Sequence, residues 1–115
     1  SRTPHERAFV AMHHPPADVH ISLMDPIKLA DADALADVLG RHDRIAALLV
    51  GHAHTMAVGS FAGVPLLFGG AVASTVPLDP EPGAPITHDL PPSYAVHLVD
   101  DDGAVMTHFR AVPSA

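Results

Sequence analysis

The chain has no cysteine and no tryptophan, and only one tyrosine and four phenylalanines in 115 residues. Without thiols there is no disulfide framework, no thiolate metal site and no cysteine nucleophile. That fits a reducing compartment, and a cytoplasmic location is the expectation. Basic residues are scarce as well: six Lys and Arg stand against 13 Asp and Glu, for a formal net charge of −7. Non-specific binding to DNA or RNA needs a basic face opposite phosphate, so a nucleic-acid polymer is not an expected partner. A phosphate-bearing small molecule stays open, because bound divalent cations can supply positive charge locally. Long apolar runs are also missing. Gly, His or Pro breaks each one before membrane-spanning length, and the first seven residues lack an apolar signal core, so no membrane partner is expected. The size allows one domain at most. The chain has no Met at its start and enters a buried-type strand almost at once, which reads as the middle of something longer.

What the chain has in excess is histidine, ten residues in all. Two of them follow the apolar run Ile45-Ala46-Ala47-Leu48-Leu49-Val50 in the loop Gly51-His52-Ala53-His54. A buried-type strand thus delivers two imidazoles into one loop, and Gly51 is expected to supply the sharp turn that aims them at a common point. Neutral imidazole is the commonest protein metal ligand near physiological pH. A second apolar strand, Phe9-Val10-Ala11-Met12, runs into His13-His14-Pro15-Pro16, where the prolines stop the strand from continuing.

Between and after these motifs the pattern predicts an α/β arrangement. A strand over 7–13 leads into a proline-containing loop over 14–28, long enough to suggest a lid or substrate wall. A helix over 30–40 places Leu35, Val38 and Leu39 on its core face, with Asp31 and Asp33 at its start and Gly40 at its C-cap. The strand over 44–50 completes a parallel βαβ unit. Residues 56–61 and 64–68 read as a hairpin turning at Ala62-Gly63. Residues 75–92, with six prolines, read as an irregular surface flap. A final hairpin joins 94–100 to 104–112, and a two-residue turn at Asp102-Gly103 would set His97 opposite His108 and Val96 opposite Phe109.

With both histidine motifs in place, the chain resembles the calcineurin-like metallophosphoesterases, and among them the class III cyclic-nucleotide phosphodiesterase branch. Met24-Asp25 ahead of an acidic helix and Phe61-Ala62-Gly63-Val64-Pro65 after the Gly-His-x-His loop follow the same order, from about Phe9 to Phe109. The resemblance implies part of a four-layer α/β/β/α sandwich carrying two divalent metal ions at its strand ends. Mixed His and carboxylate ligation would favour Mn, Fe, Co or Zn. It further implies that His13 and His52 bind one metal and His54 the other. His14 would line the pocket or hydrogen-bond a ligand, and His20 and Asp25 could lie on the substrate side.

The family's site opens with Asp-x-His, Gly-Asp-x-x-Asp and Gly-Asn-His motifs, and none of these is read as present in the chain. Residues 1–115 are therefore expected to correspond to the C-terminal half of a single metallophosphoesterase domain. The whole enzyme would hydrolyse phosphodiesters, cyclic nucleotides among them, with metal-activated water. The isolated chain is expected to bind metal weakly, at one site or none, and to be inactive. A rival expectation is a non-catalytic metal-binding or oligomerising domain that keeps half of the site. In either case a half-sandwich would expose apolar sheet surface, so a homo-oligomer is expected. His5, His42 and His88 are expected at the surface, and Asp100-Asp101-Asp102 in a solvated turn.

Overall fold

The computed structural model describes residues 7–71, 74–78, 86–88 and 90–113. Among these residues six strands and one α-helix form. Strands β1 (Ala8–Met12), β2 (Ile45–Val50), β3 (Ala57–Phe61) and β4 (Val64–Phe68) make one sheet in the order β1-β2-β4-β3. The first three neighbours, β1, β2 and β4, run parallel, and β3 is antiparallel at the edge. Helix α1 (Ala32–Leu39) links β1 to β2, so the expected parallel βαβ unit is present. Strands β5 (Ser93–Val99) and β6 (Val105–Ala111) form a separate two-stranded sheet.

The four-stranded sheet is apolar on both faces, which is why β2 reads as an uninterrupted hydrophobic run. On one face Leu48, Val50, Leu66 and Phe68 pack with Leu39 of α1, and Leu35, Val10 and Met12 border them. Val38, expected with Leu35 and Leu39, is 47% exposed instead, because the stripe facing the sheet is narrower than the spacing suggested. Gly40 sits at the C-cap with φ −65°, so the turn continues right-handed and the positive-φ freedom of glycine is not used there. Against the other face lies the β5–β6 hairpin. Leu49 and Leu67 of the sheet and Ala95, His97 and Phe109 of the hairpin line a shared cavity of about 180 Å³. The described residues thus build helix, sheet and hairpin layers of an α/β fold.

The two hairpins turn differently. At the β3–β4 connection Ala62 (φ 50°) and Gly63 (φ 77°) both lie in the left-handed region, the two-residue turn expected from the sequence. At the β5–β6 connection the register departs from expectation by one residue. Asp100 N–H donates to Ala104 O (3.1 Å), and Gly103 N–H donates to Asp100 O (3.0 Å) with Gly103 at φ +84°. The Asp100 carboxylate also accepts the N–H groups of Asp102 and Ala104, each at 2.9 Å. These bonds close a three-residue loop, 101–103, in place of the two-residue turn. His97 consequently pairs with Thr107, Val96 with His108, and Ala95 with Phe109. A slip of one residue exchanges faces. Phe109 therefore points at the sheet, while Val96 (40% exposed) joins Tyr94, Leu98 and Met106 on the outward face.

The loop after β1 is ordered by its own bonds. Val19 N–H donates to the Asp25 carboxylate (2.8 Å), Leu29 N–H donates to Pro15 O (2.8 Å), and Ile21 is buried. A 3-10 turn at Asp25–Ile27 and an ion pair between Lys28 and Asp18 complete it. Of the flap over 75–92, the described parts include an antiparallel bridge between Thr75 and Thr87 and a buried Val76. Residues 79–85 and 89, like His5, lie outside the described residues.

Candidate metal centre

In an open sheet the carboxyl ends of parallel strands are where loops diverge and ligands bind. β1 and β2 are parallel neighbours, with Met12 beside Val50 at their last pair, so both histidine loops leave the sheet at one edge. Gly51 N–H donates to His13 O (3.1 Å), tying the two loops together at their first residues. The sharp turn is not made by Gly51, which has no positive φ. It is made by His52 (φ 67°) and His54 (φ 51°), both left-handed. Histidine is among the non-glycine residues that tolerate this region, though at a cost.

Three rings meet. His13, His14 and His52 each offer a nitrogen, and these atoms all lie within 4.8 Å of one another. His52 Nδ1 is 3.1 Å from His13 Nε2, and the ring centroids of His14 and His52 are 4.3 Å apart. His13 meets both of the other rings edge-on, at centroid separations of 5.0 Å to His14 and 4.9 Å to His52. His54 points elsewhere. Its Nδ1 is 2.9 Å from Ser74 Oγ, and its carbonyl accepts Val76 N–H (2.9 Å), so it anchors the base of the flap.

The remaining predicted residues stand apart from this cluster. His20 is exposed at φ 61° and Asp25 is engaged by Val19 N–H, which gives Asp25 a place in building the loop. His42 and His88 are exposed, as expected. His97 Nδ1 lies 2.8 Å from Thr107 Oγ1, so the opposed His97–His108 pair does not form. Reading from the sequence passed over one literal Asp-x-His triplet, Asp18-Val19-His20. It follows His13 instead of preceding it, and Lys28 holds Asp18.

His13 and His14 are exposed, and His52, partly buried, is the ring whose electrostatics are altered. Desolvation lowers the pKa of His52 below the ordinary histidine value, and the neighbouring rings of His14, His13 and His54 lower it further, since a second positive charge there would repel theirs. His52 is therefore neutral at neutral pH. Its Nε2 is buried without a hydrogen-bond partner. An unpaired buried nitrogen is costly, and a cation accepting its lone pair is one way to satisfy it. The donor set of three imidazoles, with no carboxylate among them, suits borderline divalent cations better than Mg or Ca. On both counts these residues fit a metal ion.

The chain matches no family profile. It is 35% identical over 96 residues, 82% of its length, to a "probable cyclic nucleotide phosphodiesterase" of Rhodopseudomonas palustris. It is 27% identical over 110 residues, 94% of its length, to a "probable glycerophosphodiester phosphodiesterase" of Arcobacter nitrofigilis. A second "probable cyclic nucleotide phosphodiesterase", from Rhodococcus erythropolis, is 36% identical over 74 residues, 64% of the chain. The aligned regions span only 35%, 40% and 24% of those proteins. The matches are similarities to named phosphodiesterases, and they agree with the resemblance to calcineurin-like metallophosphoesterases that the ordered motifs carry.

Proposed function

We propose that the chain is the C-terminal portion of a metal-dependent phosphodiesterase acting on small phosphodiesters, cyclic nucleotides among them. One observation carries the reading: adjacent parallel strands β1 and β2 release His13 and His52 at the same edge, with ring nitrogens 3.1 Å apart. The relatives' names supply the reaction class. In the whole enzyme, two divalent ions drawn from Mn, Fe, Co or Zn, held by His13, His52 and His54 together with residues beyond this chain, would lower the pKa of a bound water and offset charge on the phosphoryl oxygens.

The chain's own contribution is to deliver imidazoles. β1 and β2 fix where His13 and His52 start, and burial keeps His52 unprotonated, so its lone pair is available at neutral pH. His54, held by Ser74, would need to leave that bond or coordinate through its other nitrogen. Since phosphodiester hydrolysis also needs carboxylates to draw in and bridge two cations, the chain alone is inactive. The four-layer sandwich and a cytoplasmic location belong to the same reading. So does a homo-oligomer, for which the support is the outward face of β5–β6, where Tyr94, Leu98 and Met106 are 52%, 56% and 63% exposed. Among the described residues no helix is long and apolar enough to cross a membrane.

The test compares two proteins with Mn²⁺ and bis(p-nitrophenyl) phosphate or cyclic AMP. One is the 115-residue chain; the other is the product of the reading frame extended upstream through any Asp-x-His, Gly-Asp-x-x-Asp and Gly-Asn-His motifs. Hydrolysis by the extended protein alone is the expected result. An upstream sequence without those motifs, or an extended protein that cleaves neither diester, would refute the proposal in favour of a non-catalytic metal-binding or oligomerising domain.

A further inference from the structure

We infer that a proline-walled groove beside the returning limb of the flap takes the planar base of a nucleoside phosphodiester. His88, Leu90 and Val112 are then the residues that favour a base over a small polyol such as glycerol. For the phosphoryl end of that substrate the inference rests on the phosphodiesterase reading above; the groove is defined by its own walls.

His88, Leu90, Pro91 and Pro92 form one wall of an open cavity of about 700 Å³, and Val112 and Pro113 belong to the other. Pro92 O accepts Val112 N–H (2.8 Å), which ties the two walls together. Small-molecule sites commonly measure about 300–1,000 Å³ and combine apolar walls with a few polar groups. Here the wall side chains are carbon surface apart from the His88 imidazole. The proline rings hold their backbone fixed, so little freedom is lost when a flat group settles against them. Leu90 and Val112 are 51% and 44% exposed, apolar surface that such a group would cover. A heterocyclic base can lay its faces on these walls while its ring nitrogens stay at the open side. Glycerol would press hydroxyls against proline and leucine carbon with few partners, which is unfavourable.

The first wall hangs at both ends from the sheet edge where the histidine loops leave. At one end Thr75 and Thr87 exchange N–H···O bonds of 2.8 Å each, and Val76 N–H donates to His54 O (2.9 Å). His88 follows Thr87 directly, so along this bonded path it stands within about 15 Å of the His54 carbonyl. At the other end Ser93, next after Pro92, donates its N–H to Ala71 O (3.4 Å), three residues beyond Phe68 of β4. A Cβ on Gly70 would overlap Ser93 Oγ, so this close approach needs glycine. Two other cavities suit a base less. The one between sheet and hairpin, about 180 Å³, is small for it, and a cleft of about 490 Å³ lies by Ile45 and Val105, the first residues of β2 and β6, away from the histidine edge.

The experiment has two arms. Specificity is read on the upstream-extended protein as kcat/KM for cyclic AMP and for the cyclic phosphate of methyl riboside, which lacks only the base. The variants are His88→Ala, Leu90→Ala, Val112→Ala and, as a control on β3, Val58→Ala, all with the circular dichroism of the parent. The parent should favour cyclic AMP, and each groove variant should lose about fivefold or more on it, mainly through KM. The base-free diester should stay within about twofold throughout, and Val58→Ala should change neither. A parent without preference, or variants that affect both diesters equally or neither, would overturn the groove while leaving the phosphodiesterase reading intact. Binding is read on the 115-residue chain by NMR, with adenosine and glycerol titrated against the Leu90 and Val112 methyl signals. Adenosine should shift them with roughly millimolar affinity, and glycerol should not. If the extended protein cleaves neither diester, the phosphodiesterase reading fails and this arm alone decides: adenosine shifts at Leu90 and Val112 uphold the groove, and shifts elsewhere or none overturn it.

Discussion

Replacing Leu48 by Ala tests the chain of support from core to site. Leu48 is fully buried at the middle of β2, the strand that delivers His52. It is flanked in register by Val10 on β1 and Leu66 on β4, and Leu39 of α1 packs in the same cluster. Buried Leu→Ala substitutions cost roughly 2–5 kcal/mol, more where the surroundings cannot collapse into the space. Two hydrogen-bonded strands and a helix wall this site, so the expected cost is about 3–4 kcal/mol. Against a total stability of about 5–15 kcal/mol, that is a large fraction. It should lower Tm by about 10–20 °C for a chain of this size. The assay is urea and thermal unfolding by circular dichroism, beside Val58→Ala, a residue on the same sheet that is 68% exposed and expected to change stability by less than about 0.5 kcal/mol. If Leu48→Ala cost no more than Val58→Ala, β2 would not be the central strand, and the convergence of the histidine loops would lose its basis.

Three further outcomes are expected. Because burial lowers the His52 pKa from its ordinary 6.5, the unfolded chain takes up more protons than the folded one between the two values. Metal-free stability should be full above pH 6.5 and fall as the pH drops through the lowered value; a urea midpoint less pH-dependent in His52→Asn would agree, and an unchanged slope would not. Phe109→Ala should cost about 2 kcal/mol, less than the roughly 3–5 of a fully buried ring, because Phe109 is only half-buried where it lines the inter-layer cavity, whereas Val96→Ala should be near neutral. Equal costs, measured by denaturant midpoints, would restore the register read from the sequence. Gly103→Ala should destabilise the β5–β6 loop by about 1–2 kcal/mol, since a left-handed φ of +84° penalises a Cβ; no change in Tm would show that the loop is not built as described.

The sheet was legible in the sequence because its signals are local. Apolar runs ending in Gly or Pro marked β1 and β2, and β4 matches its expected span of 64–68. The Ala62-Gly63 turn was readable because small or glycine residues at two successive positions permit left-handed backbone. What failed depends on bonds no spacing reveals. The Asp100 carboxylate reaches forward to two backbone N–H groups and inserts a residue into the loop, and the whole of β6 shifts by one position as a result. The hydrophobic alternation of β5 could not prevent this error, because Val96, Leu98 and Met106 are apolar on an outward face. Similarly, two histidines spaced as His-x-His gave no sign that one ring would turn to a serine 20 residues on.

The loop carrying those rings breaks a local rule, and the break has a physical reading. Two non-glycine residues, His52 and His54, hold left-handed φ within three positions, at about 1–3 kcal/mol each. Such backbone persists only where its surroundings over-determine it, and here they do. Gly51 N–H is fixed by His13 O, Ala53 N–H by Gly51 O at 2.7 Å, and the far side of the loop by Val76 N–H on His54 O. Ala53, 1% exposed, is the peg between the two strained residues and packs into the same core as Leu48 and Phe68. A relaxed loop would let both histidines swing into solvent, where their side chains lose less entropy and no buried nitrogen goes unpaired. The core instead holds His52 in a conformation that is unfavourable by itself, beside rings that disfavour its protonation. That combination, strain supported by packing and an imidazole with an unpaired buried nitrogen, is a local inconsistency of the kind that clusters at functional sites.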